Sequence, residues 1–418
     1  MRPRCWDVGR WAALATALAV GATACGQARL ATPPEPEFVT GSRAEPVAPP
    51  TTLEGAGIVS DASSDIDVIA VDVADMVIID DAGNAAPNRS GWAAFDQSLQ
   101  RRMVPASVGA SVAVMIDGQI VHQAAFGERV AGGGDPVETT DRFRIASISK
   151  TITAIVALQL VEDGVLMLDE PVGATIAAHL GLATYDVDAA SITVRELLSH
   201  TAGFPQHEAT FFSNGATSCP DAAAQGLSRS VSSGSGFRYS NMSYCVLGVL
   251  IEAVTGKTYE RVVDERLLTP LGISGMRMTS TYELGPDEVS HDPSPDRNFM
   301  EALGAAGAWN ATPADVVRIM NAVDPKTRGW KALSDETMSI LRYRVPNALP
   351  PSGYGLGVIN YDGDAYGHTG TLQNTHAMVL VQPDGLTWAV TVAGAYPSDS
   401  GQLRSIVRQA LAAGFASA

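Results

Sequence analysis

The sequence is short of positive charge. It carries 28 Lys and Arg against 45 Asp and Glu in 418 residues, a formal net charge of −17. Proteins bind the phosphate backbone largely through Lys and Arg, so this balance argues against nucleic acid as a partner. Its apolar content of 46% is nevertheless enough for the core of one large domain or of two subdomains.

The N-terminus also lacks a hydrophobic run long enough to cross a bilayer securely, because its apolar stretch covers only residues 11–20. Basic residues precede this stretch, and Ala-Thr-Ala-Cys at residues 22–25 follows it, which is the order of a secretory signal peptide. A Cys at that place is similar to a bacterial lipobox. We therefore expect residues 1–25 to be a lipoprotein-type signal with Cys25 lipidated, and simple secretion is the alternative. The protein would then be exported to the cell envelope, facing the periplasm or the exterior, with this anchor as its one membrane contact.

Cysteine is scarce, with four residues in the chain. If Cys25 is lipidated and Cys5 leaves with the signal, Cys219 and Cys245 remain in an oxidising compartment. A disulfide between them and two separate buried thiols both fit the sequence.

Two common hydrolase signatures are missing. His207-Glu208 has no second His in H-E-x-x-H spacing, and no G-x-S-x-G occurs. A zinc metalloprotease and an ordinary α/β-hydrolase are therefore excluded, and we expect neither a metal nor a cofactor.

Proline and aspartate dominate the segment after the signal. Residues 26–90 are rich in Pro, Ala, Ser and Asp, and their second half has no sustained period of 2 or 3.6 residues. This composition is typical of a solvated tether. We predict a disordered linker at residues 26–90 and a folded domain at residues 91–418.

Strand patterns lie at both ends of that domain, and helical patterns lie between them. Asp117-Gly118 and Asp384-Gly385 separate apolar runs as hairpin turns do. We therefore expect an α+β fold, with an antiparallel sheet built from both ends of the domain, flanked by helices, and a mostly helical insertion. The predicted strands are residues 111–116, 119–125, 355–361, 375–382 and 387–393, and the predicted helices are residues 92–102, 147–163, 193–199, 244–255, 259–267, 312–323 and 402–413.

The candidate nucleophile is Ser147, at the start of an amphipathic helix. Ser147-Ile148-Ser149-Lys150 places Ser147 and Lys150 three residues apart, on one side of the helix. A serine hydroxyl needs a base to remove its proton, and a buried lysine can act as that base. Ser149 lies in the wrong register to replace Ser147.

Two further segments could complete a site. Tyr239-Ser240-Asn241 offers a phenol and an amide just before a helix. His368-Thr369-Gly370 precedes an apolar run, and its glycine permits close approach of the backbone to a ligand. Either segment alone would more often be an ordinary turn or loop.

Taken together, S-x-x-K, Tyr-Ser-Asn and His-Thr-Gly, in this order and at these spacings, resemble the penicillin-recognising serine hydrolases. The branch they resemble contains the class C beta-lactamases, the DD-carboxypeptidases and related esterases. Leu197 to Gly203, Leu247 to Gly256 and Tyr354-Gly355-Leu356-Gly357 are also similar to that branch, and the resemblance covers about residues 95–411.

The resemblance implies a role for each motif residue. Ser147 would form the acyl-enzyme, while Lys150 and Tyr239 would relay protons. The backbone N–H groups of Ser147 and Thr371 would form the oxyanion hole, which is worth about 3 kcal/mol per donor. The residues implied in substrate binding are Asn241, His368, Thr369, Gly370 and Thr371.

Departures from the family leave the acyl substrate open. His368 replaces a Lys, and Ile359 stands where DD-carboxypeptidases can carry an Arg for the terminal carboxylate. A DD-peptidase or weak beta-lactamase acting on peptidoglycan-type peptides or beta-lactams, an esterase or amidase on small acyl substrates, and a non-catalytic penicillin-binding-like protein all fit.

Two histidines carry further expectations. His200 ends a predicted helix beside the site, and we expect it to support the wall of the site. An ordinary histidine titrates near neutral pH, so His368 is expected to supply a pH-dependent charge that attracts a substrate carboxylate.

Overall fold

The structure is a computed structural model that describes residues 71–79, 85–104, 107–206, 208–290, 297–349 and 352–415. The predicted signal peptide, Cys25 and most of the predicted linker lie outside these residues. No helix in the described ranges is long and apolar enough to span a bilayer.

The strands are β1 (Val77–Ile79), β2 (Ala85–Pro87), β3 (Gly109–Ile116), β4 (Gln119–Gly127), β5 (Phe143–Arg144), β6 (Arg277–Met278), β7 (Trp309–Ala311), β8 (Gly353–Tyr354), β9 (Ile359–Asn360), β10 (Tyr366–Leu372), β11 (Thr375–Val381) and β12 (Leu386–Ala393). The α-helices are α1 (Arg89–Met103), α2 (Ile148–Glu162), α3 (Gly173–His179), α4 (Val194–Leu198), α5 (Glu208–Phe212), α6 (Cys219–Leu227), α7 (Asn241–Thr255), α8 (Tyr259–Val263), α9 (Phe299–Leu303), α10 (Pro313–Asn321), α11 (Asp335–Leu341) and α12 (Ser400–Phe415). Short 3-10 turns cover Val73–Met76, Asp188–Ser191, Gly304–Ala306 and Asp362–Asp364, and a π-helical turn covers Asp264–Leu268.

The main sheet joins the two ends of the domain. Its strand order is β4-β3-β12-β11-β10-β9-β8, and every pairing is antiparallel. The N-terminal hairpin meets the C-terminal strands where β3 pairs with β12, for example Val112 with Val390. The predicted α+β fold, with a sheet built from both ends, is confirmed. At the β3–β4 turn Asp117 and Gly118 have φ values of 47° and 82°, as a tight hairpin requires.

Helices cover both faces of the sheet, so its central strands are buried on both sides. Along β12, Trp388 and Val390 face an apolar cluster that includes α1 and α12, whereas Ala389 faces the cluster that contains α2. This alternation is the period of two that a strand imposes. A second small antiparallel sheet, β5-β7-β6, which the sequence patterns did not predict, lies beside the start of α2.

Helix α2 differs from the expected amphipathic helix. Every residue from Ile148 to Leu160 is buried, including Ser149 and Lys150. A helix that is apolar nearly all round lies in the core. The Ser147–Lys150 segment therefore leads into a helix that lies in the core.

Of the predicted strand at residues 355–361, only β9 (Ile359–Asn360) is a strand, and residues 355–358 form the turn between β8 and β9. The chain turns at Gly357, which has a φ of 94°. A side chain there would also collide with Ala154 on α2. Gly357 is thus needed both for its backbone conformation and for close packing.

The end of the predicted linker is ordered, which corrects the description of residues 26–90 as disordered over their last part. β1 and β2 form a hairpin, and α1 begins at Arg89. Val71 and Met76 are buried in the same apolar cluster as Trp92 and Leu99. These side chains gain the free energy of apolar burial, which a solvated tether would not.

Candidate active site

Ser147 lies at a strained turn that leads into α2. Ala146, directly before it, has a φ of 47°, which is uncommon for a residue other than glycine and is often found at functional sites. Ser147 occupies the N-cap position, but its hydroxyl makes no capping hydrogen bond. The residue is half-buried, so the hydroxyl can meet a substrate.

Lys150 lies one turn further along the same helix and is fully buried. Its Nζ lies 3.0 Å from Ser147 Oγ, 2.8 Å from Asn241 Oδ1 and 2.8 Å from the Ala306 carbonyl oxygen. The structure therefore brings together the serine, the lysine and the asparagine that the sequence singled out. Ala306 was not predicted, and the only sequence signal for it is the glycine-rich run at residues 304–307.

These contacts suit a base. An ammonium group has three hydrogens and can donate to all three oxygens. A neutral amine would donate to Asn241 Oδ1 and the Ala306 carbonyl, which carry no hydrogen, and its lone pair would then face the Ser147 hydroxyl. The same geometry thus accommodates Lys150 before and after it takes a proton from Ser147.

The Tyr239–Asn241 turn reaches the site because α7 begins there. Ser240 is the N-cap of α7, and its hydroxyl accepts the Met242 N–H at 3.2 Å. This cap fixes Asn241 in the first turn of the helix, next to Lys150. The Tyr239 ring centroid lies 4.9 Å from Lys150 Nζ, and both Tyr239 and Asn241 are half-buried.

The His-Thr-Gly motif lies within strand β10. The sequence had placed it before a strand instead. A side chain at Gly370 would collide with the Ile145 carbonyl and crowd Ala146, so β10 packs directly against the turn before Ser147. Thr369 and Thr371 are half-buried at alternate positions, whereas Gly370 is buried. Gly370 thus permits the contact between this strand and the start of α2.

The two proposed oxyanion donors belong to these adjoining elements. Within the described residues the Ser147 N–H makes no backbone hydrogen bond, as is usual at the N-terminus of a helix. Thr371 follows Gly370 on the strand that packs against that turn. The oxyanion hole formed by these two N–H groups stays a prediction.

His368 does not have the expected role. Its side chain is 0% exposed, Nδ1 lies 2.6 Å from the Thr369 carbonyl oxygen, and Nε2 lies 3.3 Å from Tyr354 Oη. Burial, with a smaller contribution from the charge of Lys150, lowers the pKa of His368 to about 3. His368 is therefore neutral at ordinary pH and supplies no charge to a substrate.

His200 and Tyr354 extend this buried polar region. His200 Nε2 lies 3.1 Å from Tyr354 Oη, and the His200 ring centroid lies 4.2 Å from that of Tyr239. Burial and the nearby charge of Lys150 hold the pKa of His200 well below its usual value. His200 does support the wall of the site. The sequence offered no role for Tyr354 beyond its place in Tyr-Gly-Leu-Gly.

A covalent bond lies behind the Tyr239–Asn241 turn. The structure joins Cys219, at the start of α6, to Cys245 on α7 as a disulfide, with Cα atoms 5.5 Å apart. Of the two readings that the sequence allowed, this is the one the structure adopts. The described residues contain no group of three or more His, Cys, Asp or Glu side chains arranged to hold a metal ion.

Known proteins are similar to this chain in sequence and in fold. A family named Beta-lactamase matches residues 95–413. Penicillin-binding protein 4 of Amycolatopsis lactamdurans is 29% identical over 320 residues, covering 69% of this chain and 80% of the relative. A crystal structure of SurE with D-Leu is 26% identical with a TM-score of 0.62, covering 78% of this chain and 75% of that one. D-amino acid amidase from Ochrobactrum anthropi SV3, crystallised with L-phenylalanine amide, is 22% identical with a TM-score of 0.62, covering 76% of this chain and 98% of that one, and shows likeness of fold alone.

Proposed function

Because the chain belongs to the beta-lactamase family, we propose that it is a serine acyl hydrolase in which Ser147 forms a covalent acyl-enzyme. The observation that carries the proposal is the position of Lys150. Its Nζ lies 3.0 Å from Ser147 Oγ and also donates to two neutral oxygens, Asn241 Oδ1 and the Ala306 carbonyl. A serine so placed has the base that nucleophilic attack requires.

In the first step, Ser147 Oγ attacks the carbonyl carbon of the substrate, and its proton passes to Lys150 Nζ. The oxyanion that forms is stabilised by two N–H groups, that of Ser147 at the start of α2 and that of Thr371 on β10, and the dipole of α2 also favours negative charge there. The tetrahedral intermediate then collapses, the bond to the leaving group breaks, and the leaving group takes a proton through Tyr239 and Lys150.

In the second step, water attacks the acyl-enzyme. Tyr239 and Lys150 accept a proton from the water, and a second intermediate collapses to release the acid and restore the Ser147 hydroxyl. Asn241 contributes to both steps, because its oxygen holds Lys150 in place.

We propose that the substrate is an ester or amide without a terminal carboxylate. His368 is buried and neutral, and the position at which DD-carboxypeptidases can carry an arginine is a buried isoleucine, Ile359. Neither position offers a cation to an anionic substrate. The relative SurE has been crystallised with D-Leu, so D-amino-acyl compounds are the acyl group to test first.

A DD-peptidase or weak beta-lactamase is the second candidate. The identity of 29% with Penicillin-binding protein 4 favours it. Substrates of this class carry a carboxylate, which here would need a cation from another part of the cleft. A non-catalytic penicillin-binding-like protein is the third candidate.

Active-site labelling separates these candidates. We expect a fluorophosphonate to label the wild-type protein and not Ser147→Ala. Ser149→Ala is the matched control, since Ser149 is buried with its hydroxyl bonded to the Trp309 N–H, and it should still be labelled. Loss of label in Ser149→Ala with retention in Ser147→Ala would contradict the assignment of Ser147 as the nucleophile. A wild-type protein labelled by neither a fluorophosphonate nor labelled penicillin would be the non-catalytic protein.

Substrate class is tested with paired substrates. We expect hydrolysis of D-leucine p-nitroanilide and of p-nitrophenyl acetate, with little release of D-Ala from a peptide ending in D-Ala-D-Ala. Faster reaction with the D-Ala-D-Ala peptide, or rapid turnover of penicillin, would establish the second candidate instead.

The pH dependence of kcat/KM tests directly whether His368 supplies a charge to a substrate carboxylate. Since His368 is neutral from about pH 5 to pH 9, kcat/KM should rise with pH in the same way for a neutral ester and for its carboxylate-bearing analogue. A falling limb seen only with the anionic substrate, and absent in His368→Gln, would mean that His368 does titrate in the cleft.

We further propose that the enzyme is exported and anchored through Cys25, on the evidence of the N-terminal residues alone. Metabolic labelling with palmitate should mark the full-length protein and not Cys25→Ala. A labelled Cys25→Ala variant, or an unlabelled wild type found only in the culture medium, would contradict the anchor.

A further inference from the structure

A continuous line of hydrogen bonds runs behind the catalytic groups. The Ser240 N–H donates to His200 Nδ1 at 3.2 Å, His200 Nε2 lies 3.1 Å from Tyr354 Oη, and Tyr354 Oη lies 3.3 Å from His368 Nε2. His368 Nδ1 then lies 2.6 Å from the Thr369 carbonyl oxygen. We call these five residues the histidine–tyrosine chain. It connects the Tyr239–Asn241 turn to strand β10.

Both ends of the histidine–tyrosine chain are backbone groups, and this fixes every hydrogen in it. A backbone N–H can only donate, so His200 Nδ1 is an acceptor and Nε2 carries the hydrogen that goes to Tyr354. A carbonyl can only accept, so His368 Nδ1 carries a hydrogen and Nε2 accepts from the Tyr354 hydroxyl. Each imidazole is thus held in one tautomer.

Because they are buried, the side chains of the histidine–tyrosine chain cannot exchange their hydrogen-bond partners for water. His200 is 1% exposed, and Tyr354 and His368 are both 0% exposed. Tyr244 also interacts with Tyr354, but its hydroxyl donates to the Leu198 carbonyl at 2.8 Å and has no hydrogen to offer. If Tyr354 donated to Tyr244 instead, His368 Nε2 would have no donor among the described residues, which is costly for a buried group.

His200 holds the segment around Tyr239 on both sides. Its carbonyl accepts the Arg238 N–H at 2.8 Å, and its Nδ1 accepts the Ser240 N–H at 3.2 Å. Between these two bonds, the Tyr239 ring packs on the His200 ring with centroids 4.2 Å apart. His200 has a φ of 59°, an uncommon conformation that the surrounding contacts must maintain.

We propose that His200 and Tyr354 are positioning residues, which use the histidine–tyrosine chain to hold the Tyr239–Asn241 turn and strand β10 at fixed positions around Ser147. This proposal rests on the acyl-transfer function proposed above. The chain touches no reacting atom, and it acts through Tyr239 and Asn241 on one side and through Thr369 on the other.

The direction of the hydrogen bonds can be measured without any substrate. In nitrogen NMR of histidine-labelled protein at pH 7, we expect His200 as the neutral Nε2–H tautomer and His368 as the neutral Nδ1–H tautomer, which is the minor form in water. His200→Gln and His368→Gln assign the two signals. If either imidazole is in the opposite tautomer or is protonated, the hydrogen-bond directions proposed for the histidine–tyrosine chain are wrong.

The positioning role is tested with Tyr354→Phe, which keeps the ring and removes the central hydroxyl. With p-nitrophenyl acetate we expect kcat to fall about 10- to 100-fold, the range for displaced catalytic groups, while KM changes by less than about twofold. The matched control is Tyr366→Phe, because Tyr366 is also buried and its hydroxyl donates to the Val323 carbonyl at 3.1 Å, away from both histidines. That control should keep wild-type kcat.

The outcomes separate the two proposals. If both variants lose stability equally and Tyr354→Phe keeps wild-type kcat, the chain is structural and the positioning role is overturned. If Tyr354→Phe does not fold, His200→Asn provides the same kinetic test, because its shorter side chain cannot reach Tyr354 as the imidazole does. A wild-type protein that reacts with no acyl probe overturns the proposed function and the positioning role with it. The histidine tautomers would still test the hydrogen bonds of the histidine–tyrosine chain.

Discussion

The Asn241 side-chain oxygen accepts a hydrogen bond from Lys150 Nζ at 2.8 Å. The family resemblance assigns Asn241 to substrate binding, and this contact shows that its neutral side chain also holds Lys150, the proposed base. It joins the first turn of α7 to α2 across 91 positions of sequence. A charge introduced at position 241 would therefore change how readily Lys150 accepts a proton.

Replacing Asn241 by aspartate tests this control. Asn241→Asp keeps an oxygen near Lys150 but adds a negative charge, which favours the ammonium form. We expect the rising limb of the pH profile of kcat/KM to move up by about 1 to 3 pH units, as for other charges introduced at this distance. Asn241→Ala is the control, because it removes the clamp without adding charge. An unmoved limb in Asn241→Asp would mean that Lys150 is not the group that titrates.

The buried histidines make stability depend on acid. Burial lowers the pKa of His368 from 6.5 to about 3 in the folded protein, so between these values the unfolded chain binds a proton that the folded protein does not. The stability contributed by this neutral group is complete above pH 6.5 and is lost as the pH falls towards 3. From about pH 7 to about pH 5 the loss is about 2 kcal/mol for this group.

Denaturant unfolding at the two pH values measures that loss. His368→Gln should lose about 2 kcal/mol less than the wild type on acidification. His179→Gln replaces an exposed histidine on α3 and should lose as much as the wild type. Equal losses in all three proteins would show that His368 is protonated in the folded state at pH 5.

Gly370 should tolerate no side chain. A methyl group at Gly370 would collide with the Ile145 carbonyl, so Gly370→Ala must push β10 away from the turn before Ser147. We expect a loss of about 1 to 3 kcal/mol in the free energy of unfolding, and slower fluorophosphonate labelling of Ser147. The control is Gly329→Ala, since the nearest atom to an added methyl there is 3.7 Å away. Labelling at the wild-type rate in Gly370→Ala would show that strand position is unimportant.

The disulfide should be present in protein from an oxidising compartment. Non-reducing mass spectrometry should find the Cys219 and Cys245 peptides linked, and reduction should separate them. Replacing both residues by serine should lower the free energy of unfolding by about 3 kcal/mol, because the unfolded chain regains the freedom of the closed loop. Two freely alkylated thiols before reduction would contradict the bond.

The sequence by itself determined two hairpins of the main sheet and the relative positions of Ser147 and Lys150. Asp-Gly turns between apolar runs fix β3–β4 and β11–β12 locally, because only residues that tolerate positive φ close such hairpins. The spacing of Ser147 and Lys150 likewise places both groups on one side of α2, through the geometry of a single helical turn. Such local rules need no knowledge of the rest of the chain.

Sequence reasoning was wrong where the outcome depended on what covers a residue. The Asp- and aliphatic-rich stretch before Ser90 has no clear period, yet Met76 is buried in the cluster that contains Trp92. Nothing in the local sequence distinguishes His368 from an exposed histidine, yet its side chain is 0% exposed and lies against Tyr354. No local pattern records that enclosure, because the covering atoms come from distant parts of the chain.

Tertiary structure alone decided the surroundings of Ser147 and Lys150. It brought Asn241 and the Ala306 carbonyl to Lys150, and it joined His200, Tyr354 and His368 in one line of hydrogen bonds. Proton affinity and hydrogen-bond direction depend on solvation and on neighbours within a few ångströms. A sequence lists the groups that can titrate or donate, whereas only the packed fold sets the neighbours that determine whether they do.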